Sequence, residues 1–253
     1  MNDCNTVHVP MENRLKLSKK STSPPVDASY YRSIVGSLRY LVHTRPDISF
    51  AVRYVSRFME NPTTEHLSAI KHILRYIAGM LHFGLSYTKG QGEIKLKGYS
   101  DADMAGDVDD CKSTTGVLFC FGDAPVTWQS QKQPVVALSS CEVEYIAAST
   151  AACQGLWLGS LLGRFYGKSA SVATIFIDNQ SAIQLCKNPV FHGRSKHIKT
   201  RFHFIKECVE GGDIIAQKIH TDDQLADILT KSLGRVRFLH LRSKIGVVNI
   251  LDN

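Results

Sequence analysis

From Tyr30 to Gly79 the apolar residues recur every three to four positions. Ile34, Leu38 and Leu41 share one face over Tyr30–Val42, which predicts a helix. Thr44-Arg45-Pro46-Asp47 reads as a second helix start, with proline in the first turn, and Ile48, Val52, Val55 and Met59 continue at helical spacing. Asn61-Pro62-Thr63-Thr64 closes that helix and opens a third, with Leu67, Ile70, Leu74 and Ile77 inward. Three short amphipathic helices bury only a small core, so they are expected to pack on something larger.

The period changes near Leu85. Ile94, Leu96 and Gly98 alternate with Lys95, Lys97 and Tyr99, the pattern of a half-buried strand ending at Asp101. Thr114–Phe121 and Pro125–Ser130 read as two more strands joined at Gly122-Asp123. Ser139 to about Arg164 is a long helix, with a serine cap and Glu142 in its first turn. Then come a strand (Ala173–Ile177), a short helix (Gln180–Cys186), a helix (His197–Val209), a strand (Ile214–Ile219) and a final helix (Asp222–Lys231). The order β-β-β-α-β-α-α-β-α predicts an α/β fold with a mixed five-stranded sheet and flanking helices. The expected organisation is an irregular arm over 1–29, solvated at its polar, basic stretch Ser18–Pro25, a helical segment over 30–93 and a sheet domain over 94–253.

Composition adds little at first. Hydrophobic residues make up 43% and charged residues 21%, ordinary for a globular chain of 253 residues. The net charge of +7 permits a polyanionic partner. Its distribution says more: residues 1–93 hold 12 Lys/Arg against 7 Asp/Glu, and the remainder 18 against 16. Seven cysteines without a CxxC pair or zinc-ligand spacing suggest reduced thiols and an intracellular protein, not a secreted one. No apolar run is long enough for a membrane span. Trp128, Trp157 and Phe202 are expected in or near the core.

The informative polar feature is a set of carboxylates at strand ends and helix starts. Asp101 ends the first strand, Glu144 lies early on the long helix, Asp178 ends the fourth strand, and Asp227 lies on the final helix. Any one such Asp is commonly a turn or cap residue. Gathered at one site, the four would repel one another unless a hard divalent cation joined them.

Several longer motifs occur together: Tyr31-Arg32-Ser33-Ile34-Val35-Gly36-Ser37-Leu38-Arg39-Tyr40-Leu41, Thr44-Arg45-Pro46-Asp47-Ile48, Tyr99-Ser100-Asp101-Ala102-Asp103-Met104-Ala105-Gly106-Asp107, Ala137-Leu138-Ser139-Ser140-Cys141-Glu142-Val143-Glu144-Tyr145 and Leu225-Ala226-Asp227-Ile228-Leu229-Thr230-Lys231. In this order they resemble the C-terminal part of a copia-type LTR-retrotransposon Pol polyprotein, where the end of the reverse transcriptase (thumb and connection) meets ribonuclease H. The resemblance implies an RNase H-like fold behind a small helical connection segment. It also implies a site of Asp101, Glu144, Asp178 and Asp227 that holds two Mg²⁺ or Mn²⁺ ions and cleaves the RNA strand of an RNA–DNA hybrid. Asp101 and Asp178 would flank both ions, Glu144 would serve the ion near the leaving oxygen and Asp227 the ion near the attacking water. Glu142 and Asp103 are read as neighbours, not ligands. His220 is a candidate assisting residue for product release. Arg53, Arg57, Lys71 and Arg75, with Lys196, Lys199 and Arg201, are candidate contacts to nucleic-acid backbone.

No Tyr-x-Asp-Asp motif is present, so no polymerase activity is expected, and a separate palm and fingers chain would be the partner. No membrane and no small-molecule cofactor are expected, and the site of action would be cytoplasmic, within a virus-like particle, or nuclear. The alternative reading is a catalytically silent nucleic-acid-binding or structural remnant of such a polyprotein.

Overall fold

The computed structural model describes residues 4–87, 95–167, 169, 171–187 and 204–251. In chain order the helices are α1 (Ala28–Leu41), α2 (Ser49–Val55), α3 (Thr64–Ala78), α4 (Ser140–Tyr166), α5 (Gln180–Lys187), α6 (described over 204–210) and α7 (Arg235–Lys244). The strands are β1 (Phe83–Leu85), β2 (Leu96–Ala102), β3 (Thr114–Phe121), β4 (Ala124–Lys132), β5 (Ala173–Ile177), β6 (Ile214–Lys218) and β7 (Val247–Asn249). Among the described residues no helix is long and apolar enough to cross a membrane, and none of the seven cysteines forms a disulfide.

The chain forms two compact units. One comprises Thr88–Met104 and Lys112–Asp227; the other comprises Met1–Tyr87, Ala105–Cys111 and Ile228–Asn253. These units do not follow the division at 93/94 expected from the sequence. The last 26 residues cluster with the helical segment because β7 pairs antiparallel with β1 and the Phe238 ring meets Tyr76 edge-on at 5.7 Å.

The sheet unit holds five strands in the order β4-β3-β2-β5-β6. β2 runs antiparallel to β3, and β3 to β4; β5 runs parallel to β2, and β6 to β5. This is the mixed five-stranded sheet with flanking helices that the sequence predicts. Its core joins Leu96, Val117, Phe119, Ile175 and Ile177 to Tyr145, Ala148, Ala151, Ala152 and Leu158 of α4. Small residues on α4 let it lie close to the sheet. A Cβ at Gly159 would overlap the Ser171 carbonyl oxygen, and one at Gly98 would run into the Phe119 ring. Trp157, expected inside, stands 59% exposed on the outer side of α4, and the inward positions go to alanines and glycines.

The predicted helix over Asp222–Lys231 is instead two 3-10 turns, Thr221–Asp223 and Leu225–Leu229. Gln224 interrupts it with an extended backbone (φ −70°, ψ 99°). The first part of the predicted helix His197–Val209 lies outside the described residues.

The helical unit is built on Tyr31, Val35 and Leu38 of α1, Val52 and Val55 of α2, and Ile70, Ile73 and Tyr76 of α3. The arm is irregular, as expected, and largely solvent-exposed, but it is anchored at a few points. Met11 and Leu17 are buried, Leu17 N–H donates to the Tyr54 hydroxyl (2.9 Å), and Val26 N–H donates to the Pro62 carbonyl (3.0 Å). The segment Ala105–Cys111 is bounded by two non-glycine residues in the left-handed region, Ala105 (φ 50°) and Cys111 (φ 54°). Such backbone costs about 1–3 kcal/mol per residue and persists where surrounding contacts over-determine it. Here Asp107 pairs with Arg57 (3.1 Å), and Asp109 accepts from Ser18 Oγ (2.6 Å) and Lys19 N (2.8 Å).

Candidate metal centre

Parallel pairing of β2 and β5 ends at Tyr99↔Phe176. Beyond that register the strands part, and each delivers a carboxylate just past the divergence: Asp101 on β2 and Asp178 immediately after β5. Glu144 comes from the first turns of α4. Carboxylate oxygens of Asp101, Glu144 and Asp178 all lie within 4.8 Å of one another. Asp101 and Glu144 are buried and Asp178 is half-buried.

Local bonds explain why these side chains, and not their neighbours, meet. Ser139 caps α4 by accepting from Glu142 N (3.2 Å), and Glu142 reaches back to accept from Leu138 N (2.8 Å), so Glu142 belongs to the helix cap. Two residues on, about 200° around the helix, Glu144 accepts from Ala102 N (3.3 Å) at the end of β2. Asp103 accepts from Thr114 N and its own N–H donates to the Thr114 carbonyl (3.1 Å), so it closes the β2–β3 pairing. The Thr221 hydroxyl donates to Asp178 (3.3 Å). Asp227 is buried at 4% exposure on the 225–229 turn and is not among the three oxygens that group so closely. His220 is exposed; its Nδ1 accepts from Asp222 N (3.3 Å) and caps the 221–223 turn, outside the carboxylate group.

Three carboxylates in so small a space cannot all carry charge cheaply without a cation. The donor set is all oxygen and anionic, which suits a hard divalent ion of the Mg²⁺ or Mn²⁺ kind and not a soft one.

Sequence reading missed Gln224. It is fully buried, and its Nε2 donates to the carbonyls of Ser100 (2.9 Å) and Phe176 (3.4 Å). A lone glutamine in a polar stretch carries no periodic signal.

The candidate backbone-binding residues divide. Arg53 and Lys71 are exposed. Arg57 is held by Asp107 with its side chain 9% exposed, and Arg75 is half-buried with Nη2 3.2 Å from His72 Nδ1. Lys196, Lys199 and Arg201 lie outside the described residues. Arg45, in the predicted helix start, is buried in a bidentate pair with Asp47 (2.8 and 2.7 Å) that also accepts from the Tyr76 hydroxyl (2.6 Å).

No family model matches the chain. It is 46% identical over 244 residues to the retrovirus-related Pol polyprotein from transposon RE1 of Arabidopsis thaliana, covering 96% of this chain and 17% of that protein. It is 43% identical over 254 residues to the corresponding polyprotein from transposon TNT 1-94 of Nicotiana tabacum, covering 98% and 19%. Among solved structures, it aligns with LC11-RNase H1 from compost at a TM-score of 0.40 and 16% identity, covering 54% of this chain and 92% of that one. It aligns with a foamy viral protease-reverse transcriptase in complex with RNA/DNA hybrid at 0.49 and 16%, covering 80% and 26%. Over 96–98% of its own length the chain is therefore similar to one part of retrovirus-related Pol polyproteins from transposons, and it spans less than a fifth of the length of these relatives.

Proposed function

We propose that this chain is the ribonuclease H segment of its Pol polyprotein and hydrolyses the RNA strand of RNA–DNA hybrids with divalent metal. The observation that carries the reading is the close grouping of Asp101, Glu144 and Asp178. These three would hold the cation, with Asp227 contributing to a second ion. When bound, Mg²⁺ or Mn²⁺ supplies positive charge against the phosphodiester and lowers the pKa of a water.

The residues have separable parts. Asp101 is fixed by its strand and buried, so its carboxylate is oriented before substrate arrives. The Ala102 N–H holds Glu144 against the same strand end. Asp178 is the most solvent-accessible of the three, so substrate would reach it first. Attack of water on phosphorus with loss of the 3′ oxygen leaves a 3′-hydroxyl and a 5′-phosphate. The exposed Arg53 and Lys71 are suited to nucleic-acid phosphates, and a palm and fingers chain from the rest of the polyprotein would be the protein partner.

The test is cleavage of a labelled RNA–DNA hybrid by the full chain, with Mg²⁺ or with chelator, beside Asp178→Asn. The expected result is RNA-strand cleavage that needs metal and falls sharply in the variant. Cleavage that persists in chelator, or equal cleavage by the variant, would overturn the reading. Salt-sensitive hybrid binding without cleavage would favour the silent remnant.

A further inference from the structure

We infer that Gln224 is a positioning residue of the carboxylate site, a side chain that sets the spacing between the strand ends bearing Asp101 and Asp178. The inference rests on the metal-site reading above.

The need for such a residue follows from the sheet. Parallel strands exchange evenly spaced hydrogen bonds only while paired, and β2 and β5 pair no further than Tyr99↔Phe176. The carbonyls of Ser100 and Phe176 lie where the strands part, one and two residues before the carboxylates. Gln224 donates Nε2 to both carbonyls, so a side chain takes the place of the missing ladder bond. Its neighbours select the orientation of the amide: two carbonyls take the NH₂, and Ala226 N–H takes Oε1 (3.2 Å). Its own carbonyl accepts from Asp227 N (3.4 Å). One fully buried residue therefore ties together both strand ends and the turn that carries the fourth acid.

Removing an unshared surface amide would matter little. Removing this one strips the buried Ser100 carbonyl and the half-buried Phe176 carbonyl of a donor and frees the strand gap to change. Groups that orient metal ligands without touching the metal commonly account for 10- to 100-fold in metal affinity.

Mn²⁺ affinity is to be titrated by calorimetry on the full chain, for wild type, Gln224→Met and Gln224→Asn. Gly159→Ala, at the far end of α4, serves as a destabilised control. Hybrid cleavage against Mg²⁺ concentration gives the second readout. Both Gln224 variants are expected to bind Mn²⁺ about 10- to 100-fold more weakly. The Mg²⁺ requirement for half-maximal cleavage should rise in parallel, with KM for hybrid unchanged at saturating metal. Gly159→Ala should lose thermal stability and keep wild-type metal affinity. Wild-type affinity in either folded Gln224 variant, or a loss no larger than in Gly159→Ala, overturns the inference and leaves the metal reading standing. A wild type that takes up no Mn²⁺ overturns both.

Discussion

Glu144 and His66 show how burial decides what a titratable side chain can do. Glu144 sits with Asp101 and Asp178 in a group whose charges repel. Glu144→Gln keeps an oxygen for the Ala102 N–H and removes one charge. It should cut metal-dependent hybrid cleavage at least about 100-fold, beyond the usual range for outer-shell changes. It should also raise the melting temperature of the metal-free protein while abolishing most of the Mg²⁺-induced stabilisation; thermal melts with and without metal read both. His66 is wholly buried: Nδ1 accepts from Thr63 N (3.0 Å), the ring stacks on Phe58 at 4.0 Å, and Nε2 lies 3.1 Å from the Ser18 carbonyl. Burial holds its pKa below the ordinary histidine value. A group depressed on folding binds more protons unfolded. Its stabilisation is therefore complete above the ordinary value, near 6.5, and fades as pH falls below it toward the folded pKa. Melting temperature should drop between pH 7.5 and 5.5, and His66→Asn, which keeps the acceptor and cannot titrate, should flatten that drop.

Helices and strands respond to substitution according to what lies beside them. Gly36 is exposed on α1 with nothing within 4 Å of a new Cβ, so Gly36→Ala should stabilise by about 0.5–1 kcal/mol. Gly159→Ala, on α4 against the Ser171 carbonyl, should destabilise by about 1–3 kcal/mol; denaturant titration separates the two signs. The same distinction explains what was readable beforehand. Thr114–Phe121 and Ala173–Ile177 matched to the residue because β-branched and aromatic runs mark strands directly. On α1 the buried set is Tyr31, Val35 and Leu38, one residue from the face drawn on Ile34 and Leu41, since Tyr31 satisfies its hydroxyl on the Val55 carbonyl. β1, β7 and α7 left no trace: three-residue strands have no period, and Arg235–Lys244 is largely basic. Three of the four acids were visible as strand-end or helix-start residues that do converge. Gln224 and the Arg57–Asp107 pair were not, because their partners lie 124 and 50 residues away in sequence.

For the whole molecule the charge of +7 predicts hybrid binding that weakens as salt rises. If Arg53 and Lys71 each meet a phosphate, alanine at either should lower the slope of log K against log salt by about 1. Arg57→Ala should instead act on stability, by leaving the buried Asp107 without its cation. Fluorescence anisotropy over a salt series distinguishes these outcomes. The polypeptide passes between its two units at 87/88, 104/105, 111/112 and 227/228. No single cut can therefore part them. A recombination event that exchanged everything after residue 93 would carry Phe238, Leu241 and β7 away from Tyr76 and β1, on which they depend. Exchange between related elements should be tolerated only where residues 1–87, 105–111 and 228–251 are inherited together, so the two ends of this chain and that short internal segment evolve as one piece while the rest of the sheet unit can vary on its own.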